Sequence, residues 1–224
     1  MATKYFILLI AATISVEVHA QIKWPGVNTG NGNYAVMNDL AMALAEPDKA
    51  QALDLSNKFL TAVPADVARL TNLRVLILDN NQISEIPASI GALKFLEVLS
   101  VSNNELTKLP VELVQLVNLK ELHADHNYMD YLPVDIGNLH LLEVLNVSNN
   151  VLLDVPASLS NLTMLKYLNL SNNQIENIPG SFSKLTKLLQ LNVGYNKLGS
   201  IPPEIGKSKD LKINAEGNLI QVGK

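Results

Sequence analysis

Seven prolines, Pro64, Pro87, Pro110, Pro133, Pro156, Pro179 and Pro202, stand 23 residues apart without a single slip. A period that regular constrains the fold before any local propensity does, because such a unit buries its apolar side only against the next unit stacked on it. Laid out on the period, the unit reads Leu-x-x-Leu-x-Leu-x-x-Asn-x-Leu-x-x-Leu-Pro-x-x-Ile-x-x-Leu-x-x, as in the stretch from Leu73 to Leu93. Units begin at 50, 73, 96, 119, 142, 165 and 188, so seven of them fill residues 50–210. A partial unit follows at 211–224, and the stretch Leu211 to Ile220 fits the pattern only if one residue is deleted.

Each recurring residue type has a physical reason. Apolar residues at the fourth and sixth places point to one side of a short extended segment, and the third, fifth and seventh places to the other. Each unit therefore predicts one strand of a parallel sheet. The asparagine at the ninth place, Asn81, Asn104, Asn127, Asn150, Asn173 and Asn196, falls where the chain leaves the strand and its peptide groups would be buried unpaired. An amide both donates and accepts, so a ladder of them can satisfy neighbouring coils. Lys58 occupies that place in the first unit, with Asn57 one place early. Proline at the fifteenth place fixes φ and lacks an N–H, which suits an outer return segment.

The 23-residue pattern resembles the leucine-rich repeat family, in the form found in Ras-pathway scaffolds and bacterial secreted proteins. The resemblance implies an α/β solenoid: a right-handed horseshoe arc with a parallel concave sheet and short helical or irregular convex segments. It also implies an N-terminal capping helix. The sequence places one at 36–49, where Met37, Leu40, Ala41 and Leu44 follow helical spacing after a possible cap at Asn38, and Pro47 stops it.

Residues 1–20 read as an export signal cleaved after Ala20: Lys4 begins it, Tyr5 to Ile14 is apolar, and Val18-His19-Ala20 closes it. The apolar run is shorter than the ~20 residues that span a bilayer, so the mature chain is expected without a transmembrane span, secreted or periplasmic. A flexible leader is expected at 21–35, with Trp24 and Tyr34 docked on the capping helix. The absence of cysteine excludes disulfides, thiolate metal sites and cysteine nucleophiles. It also departs from the cysteine-clustered caps of eukaryotic extracellular relatives, and so favours a bacterial origin.

Seventeen basic against 21 acidic residues, with only Arg69 and Arg74 for bidentate contacts, argue against nucleic acid as a partner. Function is expected on the strand places left out of the core. Val75, Ile77 and Val98 form an apolar strip beside Glu97, Glu121, His123 and Asp125, with Tyr167 and Tyr195 further along. Apolar and aromatic anchors in a polar surround suit a protein or peptide ligand. The expected protein is thus a non-enzymatic recognition module without cofactor, metal or catalytic residues. The alternatives are a metal-dependent hydrolase centred on His123, Asp125 and His126, or a purely structural envelope protein. A serine hydrolase using Ser100 or Ser102 has no strained elbow or oxyanion hole in its support. Three Asn-x-Ser/Thr triplets, at Asn146, Asn161 and Asn169, are explained more simply by the repeat than by glycosylation.

Overall fold

The computed structural model describes residues 34–207 and 210–220; the expected export signal and most of the leader lie outside that range. Strand β1 (Val36–Met37) and helix α1 (Leu40–Ala45) precede the repeats. The repeats supply β2 (Ala52–Asp54), β3 (Val75–Ile77), β4 (Val98–Ser100), β5 (Glu121–His123), β6 (Val144–Asn146), β7 (Tyr167–Asn169), β8 (Gln190–Asn192) and β9 (Lys212–Asn214). They form one parallel sheet in sequence order, the arrangement of an α/β solenoid. Val75 pairs with Val98, Val98 with Glu121 and Glu121 with Val144, each step 23 residues long. The last step brings Lys212 opposite Gln190, which is the one-residue deletion seen in the tail.

Proline starts each return segment. The Pro110 ring holds φ at −67°, and its carbonyl accepts from the Leu113 N–H at 3.1 Å, opening the 3-10 helix Val111–Gln115. Pro64, Pro87, Pro156 and Pro179 open their own 3-10 helices in the same way. In the fourth repeat Leu119, Leu122, Ala124, Met129, Leu132, Ile136 and Leu139 are all buried, and equivalent residues join one continuous core from Ala43 to Ile213. Burying a Leu or Ile side chain contributes ~1.5–3 kcal/mol, so this frame holds the array together.

The N-terminal segment differs from the sequence expectation. Asp39, not Asn38, caps α1 by accepting from the Met42 N–H at 3.0 Å. Met37 lies in β1 opposite Leu53, and the buried face of α1 is Leu40, Ala43 and Leu44 while Ala41 is exposed. Extending the sheet by one short strand satisfies the outer edge of β2 and shortens the helix to six residues. Tyr34, expected against the helix, packs on the sheet over Ala52, Val75, Ile77 and Val98. Among the described residues, no helix is long and apolar enough to cross a membrane.

Candidate functional site

Because all strands are parallel, every repeat enters the sheet along one edge and leaves along the other. We call these edges the entry flank and the exit flank. The residues expected to present a ligand surface fall into three groups. Val75, Ile77, Val98 and His123 are buried at 2%, 7%, 4% and 4% exposure; Glu121, Asp125 and Tyr167 are half-buried; Tyr195 is 52% exposed. Outward-pointing places were expected to be open. Strands only ~4.8 Å apart leave little room between side chains, so a residue flanked on both sides is covered by its neighbours, and Tyr34 adds cover over Val75, Ile77 and Val98. Val75, Ile77, Val98 and Ala52 form an apolar cluster of their own on this face.

The polar places are bound to one another. At the fifth place Asp54, Asn146, Asn169, Asn192 and Asn214 each accept, through Oδ1, the backbone N–H two residues on. Asn146 and Asn169 also accept from the hydroxyls of Ser148 and Ser171 at 2.9 Å, which explains two of the Asn-x-Ser triplets as local turn chemistry. Repeats two to four carry Ile77, Ser100 and His123 at that place, and there a seventh-place aspartate acts across coils. Asp79 accepts from the Ser100 hydroxyl at 2.6 Å and the Ser102 N–H at 2.8 Å; Asp125 accepts from the Ser102 hydroxyl at 2.6 Å and the Asn146 amide at 2.8 Å. The result is a continuous network over the middle strands.

Burial raises the pKa of the Asp79 carboxyl above its ordinary value; the bonds from Ser100 and Ser102 oppose this, and the charge of Asp125 adds to it. A carboxyl whose pKa is raised on folding binds its proton more tightly in the native state. Its contribution is therefore full below the unfolded pKa and is lost as pH rises through the folded one. Asp79→Asn keeps an oxygen for both donors and removes the buried charge. The variant is expected to gain stability relative to the wild type as the buffer is taken from acidic to neutral pH, read as the shift between urea midpoints. A constant difference at both pH values would contradict the burial argument.

The histidines do not converge on a common centre. His123 Nε2 lies 3.4 Å from Glu121 Oε2, whereas His126 Nδ1 lies 2.8 Å from Asp125 Oδ2. Among the described residues no group of three His, Cys, Asp or Glu side chains is placed to hold a metal ion. The Ser100 and Ser102 hydroxyls donate to Asp79 and Asp125 and not to a histidine, so the Ser-His-Asp order is not assembled here.

Glu97 belongs elsewhere than the acidic centre to which the sequence assigned it. It sits at the second place on the entry flank, between Arg74 and Lys120, with both contacts at 2.6 Å. Glu143 and Lys166 repeat the contact at 2.6 Å, so the row alternates in sign. Burial opposes ionisation of Glu97, but hydrogen bonds from Lys120 and Arg74, aided by their charges, outweigh it and hold the carboxyl below its ordinary range. Each such half-exposed pair contributes ~0–1 kcal/mol.

The ninth-place ladder follows one rule. Each amide oxygen accepts the N–H of the eleventh place one coil earlier, as Asn127 does from Leu106 at 2.9 Å. Each amide nitrogen donates to the sixth-place carbonyls of its own and the preceding coil, as Asn127 does to Ala124 and Val101. Asn81 serves the first coil from outside by accepting from Lys58 and Leu60, so Lys58 costs the array nothing. Asn218, absent from the sequence-derived ladder, completes it by accepting from Leu198 at 3.0 Å. Its signal was the one-residue deletion.

The eighth place is left-handed in every repeat. Asn57, Asn80, Asn103, Asn149 and Asn172 hold φ between 54° and 58°, and the terminal coil uses Gly217 at 67°. Asparagine and glycine tolerate that region; most other residues are strained there. His126 and Tyr195 take the same place with φ of 54° and 55°. The His126 side chain is 54% exposed, and the Tyr195 ring leans over Gly217, where an added Cβ would come within 2.6 Å of it. Sequence reading noticed both residues but not the strain.

Comparison with known proteins agrees with this geometry. Residues 51–155 match the family described as leucine-rich repeat region, and residues 140–198 match leucine rich repeat. Among solved structures, a leucine-rich repeat protein of Leptospira interrogans is 29% identical with a TM-score of 0.65. That match covers 84% of this chain and 60% of the other, so the chain spans less than two thirds of that relative. The Arabidopsis receptor kinase HAESA, solved with the peptide hormone IDA and the co-receptor SERK1, is 33% identical with a TM-score of 0.67, over 74% of this chain and 30% of that one. An internalin of Listeria monocytogenes shares the fold at 21% identity and a TM-score of 0.63, over 83% of this chain and 62% of that one. No curated protein matches the chain. With its period, its single parallel sheet, its asparagine ladder and these matches, the chain belongs to the leucine-rich repeat family.

Proposed function

We propose that the chain is a non-enzymatic recognition module that binds a protein or peptide across the concave sheet, outside the cytoplasm. Support comes from the solved relative HAESA, which holds a peptide hormone, and from the receptor RGFR1, solved with RGF2 and 30% identical to this chain. The observation that carries the reading is the pair His126 and Tyr195. Stability would be served by asparagine at both places, as in the other repeats. Strained residues kept in an otherwise uniform array, with their side chains turned to solvent, are what a binding surface requires. Half-buried Glu121, Asp125 and Tyr167 would line the surface between them, over the rigid floor made by Val75, Ile77, Val98 and His123.

His126→Asn and Tyr195→Asn together should raise the urea midpoint or leave it unchanged while weakening partner binding by ~2 kcal/mol, the scale of an interface hot spot. Glu112→Ala and Lys184→Ala on the return segments should cost less than ~0.5 kcal/mol. The measurement is capture of partners from an extracytoplasmic fraction on immobilised chain, followed by calorimetry with the captured species. Capture that survives the asparagine pair and disappears with the return-segment changes would put the surface on the wrong side of the solenoid.

A further inference from the structure

The exit flank of the fourth and fifth repeats carries exposed apolar residues that the repeat pattern does not demand. Tyr128 is 62% exposed, Tyr131 47%, Leu153 59% and Val151 36%. Backbone bonds bring them together: the Val151 N–H donates to the Met129 carbonyl at 3.0 Å and the Leu153 N–H to the Asp130 carbonyl at 3.4 Å. Two tyrosines and two aliphatic side chains on adjoining coils make a patch rather than scattered exposure. The adjoining repeats place Gln82, Glu105 and Gln174 where Tyr128 and Val151 stand, and the exposed Phe59 of the first repeat lies three coils away from Tyr128, so the patch is local to the fourth and fifth repeats.

The charge around the patch is predominantly negative. Glu85, Glu105, Asp130, Asp154 and Glu176 occupy the tenth to thirteenth places of repeats two to six, all exposed, against Lys108 alone. No ion pair involves any of these five carboxylates among the described residues, whereas Glu97 and Glu143 on the entry flank are paired. Unpaired carboxylates around an aromatic and aliphatic centre complement a chain that brings both positive charge and bulky apolar groups.

We propose that this flank is a second docking surface, taking a basic polypeptide segment whose aromatic or aliphatic side chains sit among Tyr128, Tyr131, Val151 and Leu153 while its lysines or arginines meet the surrounding carboxylates. The proposal rests on the chain being a protein-binding module but not on the placement of the concave site. The test is selection from a displayed library of random dodecapeptides on the immobilised full chain, followed by fluorescence anisotropy with the synthesised winners. Selected peptides should be net positive and carry large apolar residues. Their affinity should fall at least tenfold with Tyr131→Ser and Leu153→Ser together, and several-fold with Asp130→Asn and Asp154→Asn, which leave the exposed surface folded by circular dichroism. His126→Asn and Tyr195→Asn should not change it, which separates this surface from the concave one. Failure to enrich any peptide, enrichment of neutral or acidic ones, or indifference to both flank pairs overturns the proposal. Concentration-dependent dimers in sedimentation that the flank changes dissolve would make the occupant a second copy of this chain, and would overturn it equally.

Discussion

Replacing Asn127 by Leu should lower the stability of the array by about 3 kcal/mol. The Leu106 N–H loses its acceptor outright, and that donor belongs to a fully buried residue. The carbonyls that Asn127 serves are not orphaned: Val101 keeps the amide of Asn104, Ala124 keeps that of Asn150, and Asp125 keeps the N–H of Asn103. The cost is therefore one unsatisfied buried donor, ~1–3 kcal/mol, plus three lost second bonds of somewhat less than ~1 kcal/mol each. Lys58→Leu occupies the same place in the first repeat, but only its backbone N–H takes part in the ladder. It should move the midpoint by less than ~0.5 kcal/mol. Equal effects in a urea titration of the two variants would refute the ladder geometry.

Gly137→Ala should be at least as damaging although it adds a single methyl. An added Cβ would run into the Ser158 carbonyl oxygen and lie 2.8 Å from its carbon, and both are backbone atoms of the next coil. Nothing in that contact can rotate away, so the fourth and fifth coils must separate. Overpacking typically costs ~1–3 kcal/mol, and an immovable neighbour places this change at or beyond the upper end. Gly91 occupies the same place two repeats earlier, but its nearest atoms, the mobile end of the Gln115 side chain and the Glu112 carbonyl oxygen, are both 3.0 Å away, and Gly199 has nothing within 4 Å. The expected order of thermal midpoints is Gly199→Ala highest, then Gly91→Ala, then Gly137→Ala. Reversal of the first and last would show that the coils are not in contact at that point.

The frame was legible because its signal repeats: a misjudged residue in one unit is corrected by the other units, and the strands, the return segments and Asn81 to Asn196 stand where the period puts them. What repeats less was read less well. β1 is a strand of two residues with no second copy to reveal it, and the cap moved by one residue because Asn38 and Asp39 are both competent caps. The site was harder for a different reason. Alternation says which way Val75 or His123 points but not whether neighbours close over it, and that depends on side chains 23 residues away on both sides and, over Val75, on Tyr34 from before the first repeat. The cross-coil role of Asp79 and Asp125 was hidden for the same reason, since the residues they hold, Ser100, Ser102 and Asn146, lie a full period away in sequence. The strain at His126 and Tyr195 is the counter-example. Five asparagines in the column above and below them already marked the eighth place as left-handed, and the two exceptions could have been found by reading down the column.

The alternating row from Arg74 to Lys166 has a consequence at distances where no contact is made. Paired charges of opposite sign cancel beyond a few ångströms, so the entry flank is electrically quiet from afar. On the opposite edge Glu85, Glu105, Asp130, Asp154 and Glu176 have no such partners among the described residues, so their charge is not cancelled. Within a Debye length of ~8 Å at physiological ionic strength, the solenoid acts less like a uniformly acidic rod than like a blade with one charged edge. An approaching cationic molecule is turned toward that edge before it touches the surface, which speeds encounter and leaves the lifetime of the complex to the contacts that follow.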